Sequence, residues 1–243
     1  MHLLVDNSNT RTKFALAKNG EISGWRAVIS TAELSEKTLT NTLKDITFKK
    51  VTLCTVVPDA AEMMEAFFDV PTHRISYKSE MPIQIDYPNP KQIGADRLAN
   101  TVAAVSQFGG PLIVIDFGTA VTFDVANEKG GYLGGAIAPG TASLRDYLHR
   151  RTALLPSIQL TEPLTAIGKS TEEAMQIGAV IGYRGLIREI LSSIQKELEA
   201  TPHIIATGGD AALISAEMKE ISHICPDLTL EGILEIGQLN HRK

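Results

Sequence analysis

One arrangement occurs twice in this chain, and it limits what the chain can fold into. Residues 112–115 are a continuous apolar run that stops at Asp116; Phe117, Gly118 and Thr119 turn the chain tightly, and a second extended run occupies 120–125. Near the beginning, Leu3-Leu4-Val5 leads to Asp6, a turn of small and polar residues from Asn7 to Arg11, and a second run from Thr12. Asp6 answers to Asp116, Ser8 to Gly118 and Thr12 to Thr122. Unbroken apolar runs suit strands covered on both faces. A carboxylate at the end of such a strand, beside a turn with little side-chain bulk, sets a metal-directing charge next to backbone N–H groups, which suits a phosphate. Asp and Gly also favour turns for conformational reasons alone. The repetition is what points further, to a duplicated domain with a nucleotide between its halves.

The periodicity supports that reading along the whole chain. In the first half, strands are predicted at 2–6, 12–17 and 21–29, a helix at 32–46, a β-branched strand at 51–57 stopped by Pro58, a helix at 60–68 and a short strand at 73–76. That order is βββαβαβ, and the second half repeats it with recognisable parts: strands at 112–116, 120–125 and 131–138, a helix at 142–151 and a long helix at 171–199. A strand at 203–207, the Gly208-Gly209 turn and a helix at 211–219 follow. The expected fold is therefore α/β in two domains, 1–110 and 111–243 of the 243 residues. The duplication does not explain 78–110, and such an interruption is where substrate specificity is added.

Several residues carry chemistry in this frame. Lys13, on the strand leaving the first turn, has the reach to place its ammonium on a phosphate held at Ser8–Thr10, although exposed lysines are the norm. The segment Asp86-Tyr87-Pro88-Asn89-Pro90 is too rich in proline for helix and delivers the chain to Gly94-Ala95-Asp96-Arg97, from which Leu98, Val102 and Val105 recur at helical spacing. Asp96 then falls in a first helical turn, where an acid also serves as a cap; Arg97 has the planar fork to bind an anion. Ser170 and Glu173 form a capping-box pattern around Thr171. Behind them Ala174, Gly178 and Gly182 make a small-residue stripe that suits a close backbone, in the same chain or in a second subunit.

Composition narrows the class. The net charge of −5 and the lack of a basic cluster argue against nucleic acid as a partner. Cys54 and Cys225 are too far apart for zinc or a disulfide scaffold. No apolar run approaches the ~20 residues of a membrane helix, and no signal-like segment leads the sequence, so a cytoplasmic protein is expected.

Tyr87-Pro88-Asn89-Pro90, Gly94-Ala95-Asp96-Arg97, Asp116-Phe117-Gly118-Thr119-Ala120, 134–140 (GGAIAPG), 168–171 (GKST) and Thr207-Gly208-Gly209 together resemble the type III pantothenate kinases. That family belongs to the actin-like, sugar-kinase-like superfamily of paired ribonuclease-H-like domains with the nucleotide cleft between them. The resemblance implies ATP and Mg²⁺, with Asp6, Asn7, Ser8, Asn9, Thr10, Arg11, Thr12 and Lys13 as the first phosphate loop and Thr119 against the nucleotide. It implies a monovalent cation, potassium or ammonium, on Asp116. It also implies that Tyr87, Gly94, Ala95, Asp96, Arg97 and Thr171 contact pantothenate, that Asp96 is the catalytic base, and that the protein is a homodimer. Ser8 departs from the family's usual glycine, which puts ATP affinity and phosphate-donor preference in question. A regulatory nucleotide-binding protein resembling the accessory-factor members, and a kinase for another small alcohol, are the alternative expectations.

Overall fold

The computed structural model describes residues 1–241, the side chain of Leu144 excepted. The chain forms two compact units. One contains Met1–Gly109, Gly130–Leu133 and the chain from Asp227 onward; the other contains Gly110–Lys129 and Gly134–Pro226.

The first unit begins with β1 (His2–Asn7), β2 (Arg11–Lys18) and β3 (Glu21–Ser30), then α1 (Glu36–Leu43), β4 (Lys50–Thr55), α2 (Pro58–Phe67), β5 (Thr72–Arg74) and α3 (Ala95–Phe108). Its sheet runs β3-β2-β1-β4-β5, with β1 antiparallel to β2 and parallel to β4. Every residue of β1 is buried. Strand alternation explains how: Leu3 and Val5 pack with Leu39, Leu43, Ala61 and Met64 of α1 and α2, whereas Leu4 packs on the other face with Leu98 and Val102 of α3.

The second unit repeats the plan. It is built from β6 (Leu112–Phe117), β7 (Ala120–Ala126), β8 (Tyr132–Pro139, whose first two residues belong to the first unit), α4 (Thr141–Arg151), α5 (Thr171–Ile177), α6 (Tyr183–Leu198), β9 (His203–Gly208), α7 (Ala211–Ser215) and β10 (His223–Ile224). The sheet order, β10-β9-β6-β7-β8, is that of the first unit read from the opposite edge, and β6 is again antiparallel to one neighbour and parallel to the other. The duplicated ribonuclease-H-like plan expected from sequence is thus present in both halves.

Three details differ from expectation. Asp6 stands opposite Lys13 across the first hairpin and Asp116 opposite Thr122 across the second, so Lys13, not Thr12, occupies the place of Thr122. The first turn is one residue longer, which shifts the alignment. The helix expected at 171–199 is divided by a π-helical stretch at Gly178–Gly182, where glycine lowers the cost of the wider turn. Finally, the prediction at 211–219 is not followed by the end of regular structure: α8 (Leu228–Asn240) packs on the first unit, its Leu230, Ile233 and Ile236 joining the Leu4 and Leu98 cluster.

α8 lies unusually close to α3. A Cβ at Gly232 would stand 1.9 Å from the Ala99 carbonyl oxygen, and Thr229 donates to Asn100 at 2.8 Å beside it. Gly232→Ala is therefore expected to cost about 1–3 kcal/mol through forced separation of the helices, read as a drop of several degrees in melting temperature by scanning calorimetry. An unchanged melting temperature would show that the contact yields without cost.

Candidate active site

The β1–β2 turn is tied together by its own side chains. Asn7 is buried, donates to Thr12 Oγ1 at 2.7 Å and accepts from Thr55 Oγ1 at 2.6 Å, which fixes the end of β1 to β2 and β4. Thr31 donates to the Ser8 carbonyl at 2.7 Å and meets Thr12 Oγ1 at 3.2 Å. Ser8 donates through its amide and its hydroxyl to the Arg11 carbonyl, at 3.0 and 3.1 Å. Among the described residues only Asn19 and Glu199 are non-glycines with positive φ, so Ser8 needs no glycine-like backbone. Its Cβ is accommodated, and its hydroxyl closes the turn. Asn9, Thr10 and Arg11 are exposed at the tip.

Asp6 sits at the foot of this turn. It is buried, and Lys13 Nζ donates to its Oδ2 at 3.2 Å while remaining 45% exposed along its side chain. Burial pushes the Asp6 carboxyl above the ordinary carboxylate range, opposed by the Lys13 charge and hydrogen bond.

Asp96 occupies the first turn of α3, as its spacing predicts. Its Oδ1 accepts from the Arg97 N–H at 2.8 Å and lies where a Cβ on Gly94 would be 2.4 Å away, so glycine at 94 makes room for the carboxylate. The capping role is real, and a second property accompanies it. Burial raises the Asp96 carboxyl, the Arg97 amide opposes this, and the negative charge of Asp6 raises it further. The two acids are therefore neighbours in the electrostatic sense, within one unit.

Arg97 places its guanidinium 5.9 Å from the ring centre of Tyr132, and the Tyr87 ring meets Tyr132 edge-on at 6.1 Å. Tyr132 is fully buried and is held there by backbone bonds: its N–H donates to Gln84 at 2.8 Å, and its carbonyl accepts from Asp86 at 2.9 Å. Sequence reasoning missed Tyr132, because nothing local marks the start of β8 as a support for residues 84–97.

In the second unit, Asp116 ends the buried run of β6 and Thr119 is exposed in the following turn. Gly208, at φ +93°, runs so close that a Cβ would be 2.6 Å from Asp116 Oδ1 and from the Phe117 backbone. Asp210, also absent from the sequence reading, accepts from the buried Thr141 hydroxyl. Burial and the Asp210 charge push the Tyr183 hydroxyl well above the ordinary phenol range, keeping it a donor, and it donates to the Pro139 carbonyl at 3.2 Å. A Gly-Gly-Asp run closing a parallel strand is the signal that Asp210 offered.

Thr171 is exposed at the start of α5. Ser170 accepts from the Glu173 N–H at 3.2 Å, while Glu173 takes the Lys169 N–H at 2.6 Å, so the capping pattern closes one residue early.

The structure thus brings Asp6, Lys13, Asp96, Arg97 and Tyr87 into the first unit, and Asp116, Thr119 and Thr171 into the second.

Residues 2–193 match the family model described as type III pantothenate kinase. A type III pantothenate kinase of Akkermansia muciniphila is 49% identical over 98% of this chain and 99% of its own. Those of Methylacidiphilum infernorum and Rhodospirillum rubrum are 41% and 38% identical over 98% and 99% of this chain, and over 88% and 99% of their own lengths. Among solved structures, a protein of Campylobacter jejuni described as a Baf-family transcriptional activator aligns with a TM-score of 0.64 at 19% identity over 97% of each chain. A ROK-family glucokinase of Streptomyces griseus, solved with glucose and AMPPNP, aligns at 0.56 and 12% identity over 99% of this chain and 100% of its own. At such identities the structural likenesses speak to fold alone.

The raised Asp6 carboxyl has a sign that can be checked. Its folded-state pKa lies above the unfolded value, so ionisation burdens the fold as pH rises through that interval and the burden stays constant above it. Asp6→Asn is expected to melt at higher temperature than the parent at pH 7–8, with the difference vanishing in acid below the ordinary Asp value of ~4. A lower melting temperature at neutral pH would show that the Lys13 pair outweighs burial.

Proposed function

The chain belongs to the type III pantothenate kinase family, and on that footing we propose a division of labour among its residues for the ATP-dependent phosphorylation of pantothenate, the first step of coenzyme A synthesis. The observation that carries it is the placement of Asp96: a carboxylate raised by burial and by Asp6, beside an arginine, in the unit that holds the Asp6–Lys13 turn.

Asp96 is the general base. It accepts the proton of the pantothenate primary hydroxyl as that oxygen bonds to the γ-phosphorus, and the bond to the bridging oxygen breaks to release ADP. Because the phosphoryl-transfer transition state is loose, alignment of the alcohol and neutralisation of phosphate charge supply most of the rate. Arg97 takes the pantothenate carboxylate through its planar fork, with Tyr132 beneath the guanidinium and Tyr87 against Tyr132.

Lys13 and the β1–β2 turn face the ATP phosphates, and Thr119 contacts the nucleotide. No cluster of three or more His, Cys, Asp or Glu suited to a metal occurs among the described residues. Mg²⁺ is typically carried by one or two carboxylates, water and the phosphates themselves, and the single Asp6 carboxylate suits that role. Asp6 is the residue that would hold it, and the ion would supply charge neutralisation at the phosphates. Asp116, exposed enough to ligate at the end of β6, is the site for a monovalent cation, potassium or ammonium.

The chain acts as a homodimer in this reading. The stripe Ala174, Gly178 and Gly182 is exposed, a Cβ on either glycine would meet nothing within 4 Å, and Ile181 beside it is 41% exposed. Among the described residues nothing fills that space, which suits a second subunit in this reading.

Asp96→Asn is expected to lower turnover on the order of 10²–10⁴-fold, as removal of a general base does, while the protein stays folded. ADP release dependent on pantothenate, in potassium and magnesium, is the measurement; full activity in the variant would leave Asp96 only its helix-capping role.

A further inference from the structure

The turn that carries Thr119 is held from outside itself, and the hold can be followed bond by bond. The Thr119 carbonyl accepts from the Gly140 N–H at 3.1 Å and from Ser143 Oγ at 3.3 Å, at the start of α4. Gly140 is wedged beneath the turn: a Cβ there would lie 2.3 Å from the Gly118 carbonyl oxygen and 2.6 Å from that of Thr119. The next residue, Thr141, is 2% exposed and donates its hydroxyl to Asp210. Asp210 in turn directs its N–H to the Phe117 carbonyl at 3.5 Å, at the other end of the same turn. Tyr183 secures the Pro139 carbonyl just before Gly140. The path is closed, and all of it lies in the second unit.

We propose that Thr141 and Asp210 are positioning residues for ATP, whose hydroxyl-to-carboxylate hydrogen bond clamps the start of α4 to the β9–α7 turn and so holds Gly118 and Thr119 in the shape that meets the nucleotide. The proposal rests on the reading of Thr119 as a nucleotide contact. Asp210 acts here as an acceptor, and its charge is not what the turn requires. Either partner's loss lets Gly140 drift from the Thr119 carbonyl, and the effect falls on ATP and not on pantothenate.

Steady-state kinetics of the full-length enzyme, with ATP and pantothenate varied in turn, test this. Thr141→Val and Asp210→Ala should each raise the ATP KM by about 5–10-fold, within the range expected for the net contribution of one intramolecular hydrogen bond, while the pantothenate KM holds. The double variant should be no worse than either single one, because both remove the same bond. Thr141→Ser and Asp210→Asn keep a donor and an acceptor and should restore most of the ATP affinity. An Asp210→Asn enzyme as impaired as Asp210→Ala would overturn the proposal by showing that the charge itself matters. Equal losses for both substrates would overturn it in favour of a general packing role. Thr119→Ala separates the two levels of inference. If it raises the ATP KM while Thr141→Val does not, the clamp is wrong and the nucleotide contact stands; if neither does, the nucleotide contact itself is wrong.

Discussion

A carboxylate at the end of a strand buried along its whole length is the constraint from which the first unit follows. Asp6 has apolar layers on both sides of its sheet, and a lone ionised group there would be costly. Lys13 answers this from across the hairpin, at 3.2 Å, but its partial exposure leaves the pair incompletely compensated. In the proposed reading the remaining demand for positive charge is what makes the turn useful, because a phosphate-bound cation would satisfy it. Burial raises the Asp96 carboxyl most, and the charge of Asp6 adds to it, so the two acids are linked in the proposed chemistry.

The second unit uses the same plan with different means. There the aspartate at the strand end is matched with Thr122, so no lysine crosses the hairpin, and the surroundings are built from close backbone approaches. Gly208 packs on Asp116 and Phe117, and Gly140 packs on Gly118 and Thr119. The two turns differ: the first is one residue longer and carries a charge pair, and the second is a tightly braced loop. The π-helical stretch at Gly178–Gly182 likewise departs from a regular repeat, and it falls on the exposed stripe.

How much of this was readable in advance depends on the range of the interactions involved. Strands such as β1 and β6 announce themselves, since an unbroken apolar run closed by Asp and small residues has few other uses. Asp96 and Arg97 were legible because a proline-rich arm leading into a helix start is a local pattern. α8 was not, for its residues are apolar on most sides and Gly232 and Gly237 weaken its helical signal; the closeness of α3 explains the first, and that of Thr52 on β4 and His2 on β1 explains the second. Tyr132 and Asp210 escaped for the same reason, each acting through residues more than 30 positions away. The Thr12 alignment failed because a single extra turn residue shifts register without changing composition.

The central claim is that Asp96 is a base tuned by the charge of Asp6. The pH dependence of kcat/KM for pantothenate at saturating ATP, compared between the parent enzyme and Asp6→Asn, measures it most directly. Removing the negative neighbour should let Asp96 ionise more readily, moving the acid limb of the profile to lower pH even where the overall rate falls. An acid limb that stays in place, or moves to higher pH, would contradict the account.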